Sequence, residues 1–112
     1  MSSMQTILLN IQEPYLSFIL NFSKTVEGRL NKGKFKDLKV GDILLIGDNN
    51  KFMVERISTY FSFREMIEKE GIKNVTPDKD NIDDSEAVYY KFYTKEQEKE
   101  FGILAIKIIP SN

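Results

Sequence analysis

The sequence predicts an α+β fold in which a curled, barrel-like sheet of short strands is surrounded by a few short helices. Three observations predict it. Apolar runs of strand length, Ile7 to Ile11, Ile43 to Ile46 and Ile103 to Ile109, are separated by turn residues. Capping sequences at Ser62 and Thr94 each open a short polar stretch that ends on glycine. At 112 residues the chain has room for a single domain, 1–112, which buries roughly two-thirds of its unfolded surface.

Ile7, Leu8, Leu9 and Ile11 form a compact apolar run before Gln12, a first strand buried on at least one side. Glu13-Pro14 then starts a helix, because proline in the first turn lacks only an amide hydrogen that would have no partner there. Tyr15, Phe18, Ile19 and Phe22 recur at helical spacing and give that helix an apolar face for the core. After an extended segment at Lys24 to Arg29, Asn31-Lys32-Gly33-Lys34 is a polar turn and Leu38 to Asp42 leads into a buried strand, Ile43 to Ile46. Gly47-Asp48-Asn49-Asn50 supplies residues that tolerate positive φ, so this strand pairs with Phe52 to Ser58 as a hairpin. Phe52, Val54 and Ile57 alternate imperfectly, which points to a bulge.

Ser62-Phe63-Arg64-Glu65 is a capping box, with Phe61 and Met66 placed for a hydrophobic staple and Gly71 for the C-terminal cap. The acidic stretch Asp78 to Glu86 opens a helix whose Val88, Tyr89, Phe92 and Tyr93 face inward. Thr94-Lys95-Glu96-Gln97 starts one more short helix ending near Gly102, and Ile103 to Ile109 closes the sheet.

Composition limits the chemistry. The chain has no Cys, no His and no Trp, which excludes disulfides, thiolate nucleophiles, thiolate zinc sites and the commonest general base. Any reaction must run on Lys, Glu, Asp, Tyr, Ser or Thr, and nothing points to a metal or a cofactor. No apolar run is long enough to span a bilayer, and Met1 to Gln5 lacks the basic start of a secretory signal. A cytoplasmic protein without a membrane partner is expected. Net charge is −1, yet the charge is polarised along the chain. Lys24 to Lys39 carries six basic and two acidic residues, a balance of +4, and Asp78 to Glu100 carries eight acids and four lysines, a balance of −4. The basic run reads either as solvated loop lysines or as a phosphate track.

Lys24-Thr25-Val26-Glu27-Gly28-Arg29 concentrates the polar chemistry. Alternate residues of a strand share a face, so Thr25, Glu27 and Arg29 project together while Val26 points into a core. Lys24 has the opposite parity and joins them only if the chain before Thr25 is still loop. A carboxylate and a guanidinium two residues apart can pair or grip one small polar ligand. The segment also reads as a sheet edge with solvated charges.

Four segments in order carry a family resemblance. Lys24-x-x-Glu27-x-Arg29, Leu38-Lys39-Val40-Gly41-Asp42, Tyr60-Phe61-Ser62-Phe63-Arg64-Glu65-Met66 and Phe101-Gly102-Ile103-Leu104-Ala105-Ile106 together resemble the activating-signal-cointegrator homology (ASCH) domain family. The likeness runs from Ile11 to Pro110 and is nearest to small stand-alone archaeal and bacterial members. It implies a PUA-like mixed β-barrel of about five to six strands with short helices around it and a cleft beside the motif strand. In that family the cleft is proposed to bind RNA or a nucleoside, and a related branch hydrolyses N(4)-acetylcytidine to cytidine. The catalytic pattern of that branch is Lys-x-x-Thr-x-Arg with a distant Glu. This chain matches at Lys24 and Arg29, has Glu27 in place of the Thr, keeps a hydroxyl two positions early at Thr25, and has Phe22 where the branch has Gly.

Three readings of function follow. In an RNA or modified-nucleoside binder, Lys24 and Arg29 hold phosphate or carbonyl oxygens and Glu27 accepts from an exocyclic amine. Thr25 and Ser62 add hydroxyls to that binding set, and Lys32, Lys34 and Lys36 follow the backbone. In an amidohydrolase, Lys24 with its pKa lowered by burial pairs with Glu27 to activate water on an amide carbonyl. In the third reading the motif is structural, holding the barrel by a Glu27 pair with Arg29 or Lys24, and the domain serves protein interaction. A capping box is a sufficient structural role for Ser62. A protein partner and the oligomeric state stay open.

Overall fold

The structure is a computed structural model that describes residues 4–111. Met1 to Ser3, which begin the stretch read above for a secretory start, lie outside the described residues, as does Asn112. Among the described residues five strands form one mixed sheet: β1 (Thr6–Leu9), β2 (Val26–Leu30), β3 (Ile43–Ile46), β4 (Asn50–Tyr60) and β5 (Ile103–Pro110). Five short α-helices among the same residues cover it: α1 (Tyr15–Leu20), α2 (Phe63–Glu70), α3 (Ile72–Val75), α4 (Ile82–Tyr89) and α5 (Lys95–Phe101). No helix among the described residues is long and apolar enough to cross a membrane.

The spatial order is β1-β3-β4-β5-β2, with β1 parallel to β3 and the remaining neighbours antiparallel. The sheet curls into a half-barrel, the α+β barrel type that the sequence predicts. It is not closed by β5, which lies between β4 and β2 and leaves β1 and β2 as the two edges. That position explains the apolar density of Ile103 to Ile109. Leu104, Ile106 and Ile108 fill the hollow of the half-barrel with Ile19, Leu44, Ile46 and Val54. Ile103 and Ala105 face the opposite way, against Phe63, Met66, Ile67 and Tyr89 of the helical layer. A strand buried on both faces is apolar along most of its length, and the one charged side chain of β5, Lys107 in its second half, is partly exposed and lies 3.7 Å from Glu55.

Local rules held where the contacts are local. Gly47 and Asn49 take positive φ in the β3–β4 hairpin, and the register slips between Val54 and Arg56, a bulge in the strand expected to carry one. The Ser62 hydroxyl accepts from the Glu65 amide at 3.0 Å, and Thr94 and Gln97 complete both bonds of the second capping box. Three expectations failed. Phe61 is 86% exposed and makes no staple with buried Met66, while the Glu65 carboxylate reaches past the cap to the Phe61 amide. Phe22 lies beyond α1 at φ 68° and is exposed, so the aromatic stripe of that helix is not all core. Phe92 follows the end of α4 and is 53% exposed, because the chain turns before its ring can join Val88 and Tyr89.

Candidate functional site

The motif occupies an open edge. β2 begins at Val26, so Lys24 and Thr25 are still loop, and Lys24 escapes the strand alternation. The β2–β5 register pairs Glu27 with Ile106 and Arg29 with Leu104, which puts both charged side chains on the hollow side of the sheet. Ile108 donates to Thr25 across the same register. In an antiparallel ladder the bonded pairs alternate, so Glu27 and Arg29 are bonded to β5 and the Gly28 N–H and C=O point outward from the edge.

Lys24, Glu27 and Arg29 form one contiguous ionic cluster. The Glu27 Oε2 accepts from Arg29 Nη2 at 2.8 Å and Nε at 3.0 Å, and its Oε1 lies 3.4 Å from Lys24 Nζ. Lys24 also donates to the carbonyls of Val26 at 2.7 Å and Val75 at 2.6 Å. Arg29 donates to the Asn10 carbonyl at 2.7 Å, which ties the β2 edge to the loop after β1 where no strand ladder bridges the gap.

Burial pulls the Lys24 pKa below the ordinary lysine range, although the Glu27 carboxylate works against the shift. A desolvated ammonium is disfavoured more than one carboxylate at 3.4 Å restores. At Arg29 burial also works to lower the pKa, but contact with Glu27 prevails and holds it above the ordinary value. Burial, then the charge of Glu27, pushes the Tyr89 phenol up, and burial does the same at Tyr93. Tyr15 is raised by burial and by its hydrogen bond to Asp78 at 3.0 Å. These phenols stay neutral near pH 7 and offer hydroxyl donors rather than negative charge.

A cleft of about 170 Å³ opens over this cluster. Gly28 forms part of its wall, and Tyr15, Tyr89, Phe92 and Tyr93 supply aromatic surface around the charges. A Cβ on Gly28 would lie 2.8 Å from Met66 Sδ and 3.2 Å from Tyr89 Cε1, so glycine is what lets the helical layer close on β2. The arrangement presents two cations, one anion, an unpaired strand edge and aromatic faces, a set that suits a planar polar ligand.

Not every residue singled out in the sequence reaches the cleft. Thr25 is absent from its wall, and its backbone is spent on Asn74 and Ile108. Ser62 caps α2 and does not line the cleft. Lys32 and Lys34 line an adjoining cavity that shares Arg29 with the cleft, whereas Lys36 is exposed and lines neither. Asn10, Tyr15 and the pair Tyr89 and Tyr93 were missed as site residues. The two tyrosines were legible as one helical face, but nothing in their spacing tells a core from a cleft wall.

The fold is thus a small α+β half-barrel whose open edge carries a charged, aromatic-walled cleft. The ASCH domain family model matches residues 9–111, and the chain belongs to that family. The crystal structure of the hypothetical protein PH0355 is similar at 40% identity and a TM-score of 0.90, covering 96% of this chain and all of that one. The solution structure of protein PF0455 from Pyrococcus furiosus is similar at 39% identity and a TM-score of 0.78, covering 96% of this chain and 97% of that one. No curated protein matches the chain. The family supports a domain of the general RNA-binding type.

Proposed function

We propose that the cleft over Lys24, Glu27 and Arg29 binds a nucleoside unit of RNA, free or modified. The observation that carries the reading is the convergence of these three side chains with the Gly28 backbone edge inside an aromatic-walled cleft. A base is planar, offers paired donors and acceptors along its edge, and stacks on phenol and phenyl rings. The outward N–H and C=O of Gly28 match such an edge. Glu27 Oε1, with one partner at 3.4 Å, keeps acceptor capacity for an exocyclic amine, and Arg29 presents a guanidinium to a carbonyl or phosphate oxygen.

One observation favours a second reading, amide hydrolysis of an acylated nucleoside such as N(4)-acetylcytidine. Lys24 is buried with a lowered pKa beside a carboxylate, the setting in which a lysine can serve as base. Against it, Lys24 Nζ faces three acceptors, the Val26 and Val75 carbonyls and Glu27 Oε1, which match the three N–H donors of an ammonium and leave no lone pair for a base. Binding therefore ranks first.

The test is calorimetric titration of N(4)-acetylcytidine and the four common nucleosides, with chromatography of the acetylcytidine after incubation. Binding that Glu27→Ala weakens, with little or no release of acetate, is the expected result. Rapid conversion to cytidine that Lys24→Met abolishes would make the hydrolase reading primary. No binding and no conversion would remove both.

A further inference from the structure

The second cavity, about 290 Å³, continues from the first, because Arg29, Phe92 and Tyr93 line both. Its charge differs from that of its neighbour. Arg29, Lys32 and Lys34 contribute three cations and no carboxylate lines it, although Gln97 comes from α5 within the acidic part of the chain. Among the described residues neither Lys32 nor Lys34 forms an ion pair. Lys34 is steadied by a bond to the Leu8 carbonyl at 2.9 Å, and Lys32 sits 4.8 Å over the Phe101 ring. Phe92 is shared by the two cavities with half of its surface in water, which leaves its ring accessible to a stacking partner.

From this juxtaposition we infer that the cleft is the first of two nucleotide compartments, so the ligand is a single strand of at least two nucleotides rather than a lone nucleoside. The linking phosphodiester lies at Lys32 and Lys34, and the neighbouring base stacks on Phe92. The inference rests on the nucleoside reading of the cleft. Cations without counter-charges favour a phosphodiester over a neutral nucleoside, and a ring open to solvent between two cavities is the form of a base-stacking platform. The first compartment attracts a phosphate less strongly, since its Glu27 carboxylate contacts both of its cations, Arg29 at 2.8 Å and Lys24 at 3.4 Å.

The experiment compares adenosine, cytidine, guanosine and uridine with the matching dinucleoside monophosphates by calorimetry at low salt. The Lys32→Ala/Lys34→Ala double variant and Phe92→Ala are titrated alongside the wild type, after circular dichroism shows that each is folded. A dinucleotide of at least one base should bind the wild type roughly tenfold or more tightly than its nucleoside, and both variants should collapse that ratio. Nucleosides binding as tightly as dinucleotides, or a ratio untouched by either variant, would overturn the two-compartment inference and leave the cleft reading standing. No binding of any nucleoside or dinucleotide would remove the cleft reading itself. Equal displacement of a bound dinucleotide by a hexaglutamate peptide would show a generic anion patch and also overturn the inference.

Discussion

Replacing Glu27 with Gln keeps the shape of the side chain and removes the one carboxylate that two cations share. That carboxylate is 8% exposed, contacts Arg29 at 2.8 Å and lies 3.4 Å from Lys24, which is itself 2% exposed on its side chain. Deleting one partner of a buried ion pair costs about 3–5 kcal/mol, because the other charge is left without compensation. Here the lower end applies, about 3 kcal/mol. Lys24 keeps the Val26 and Val75 carbonyls, Arg29 keeps Asn10, and the glutamine oxygen still accepts. At roughly 4 °C per kcal/mol for a chain of this size, Tm falls by about 12 °C. The substitution also changes the response to pH. Lys24 has a folded pKa below its unfolded one, so between those two values the unfolded chain holds a proton that the folded chain has lost. Stability therefore rises with pH across that window, and the burial penalty is complete below the folded value. Without Glu27 the folded pKa drops further and the rise starts at lower pH. Buried Tyr89 and Tyr93 act in the opposite sense above pH ~10, where unfolded phenols ionise and folded ones do not. The assay is urea unfolding at closely spaced pH values up to about 10, the unfolded end of the Lys24 window, with Lys24→Met as the variant that removes the lysine contribution. A loss under ~1 kcal/mol, less than any buried pair should cost, or a pH profile identical in wild type and Glu27→Gln, would refute the argument that Glu27 holds the proton on Lys24.

Two further substitutions separate packing from binding. Ser62→Ala should cost ~1 kcal/mol in urea unfolding, the usual value of a lost N-cap, and should leave nucleoside titrations unaltered; intact stability with lost binding would make Ser62 a ligand contact after all. Gly28→Ala pushes a methyl group to within 2.8 Å of Met66 and 3.2 Å of Tyr89, an overpacking cost of about 1–3 kcal/mol. Because Tyr89 lines the cleft, ligand affinity should fall along with Tm, and a variant of unchanged Tm would show that Met66 yields freely.

The half-barrel was legible in the sequence wherever a feature depends on residues a few positions apart. Turn residues at Gly47 to Asn50, the caps at Ser62 and Thr94, and the bulge before Arg56 are settled by backbone sterics and short-range hydrogen bonds, which the residue types declare. The pairing of Glu27 with Arg29 followed in the same way from strand alternation. Contacts across the chain were not declared. Lys24 reaches the Val75 carbonyl from 51 residues away, and α3, which presents that carbonyl, is a single turn too short to leave a periodic signal. The sequence could not tell that Phe22, Phe61 and Phe92 would stay in water while Tyr89 closed on Gly28. An apolar ring at a given spacing has the same pattern whether the surface opposite is another element or a cleft. Only the curl of the sheet, which leaves β1 and β2 unpaired with each other and lays the Asn10 loop and the end of α4 beside the gap, decided that the motif lines an opening.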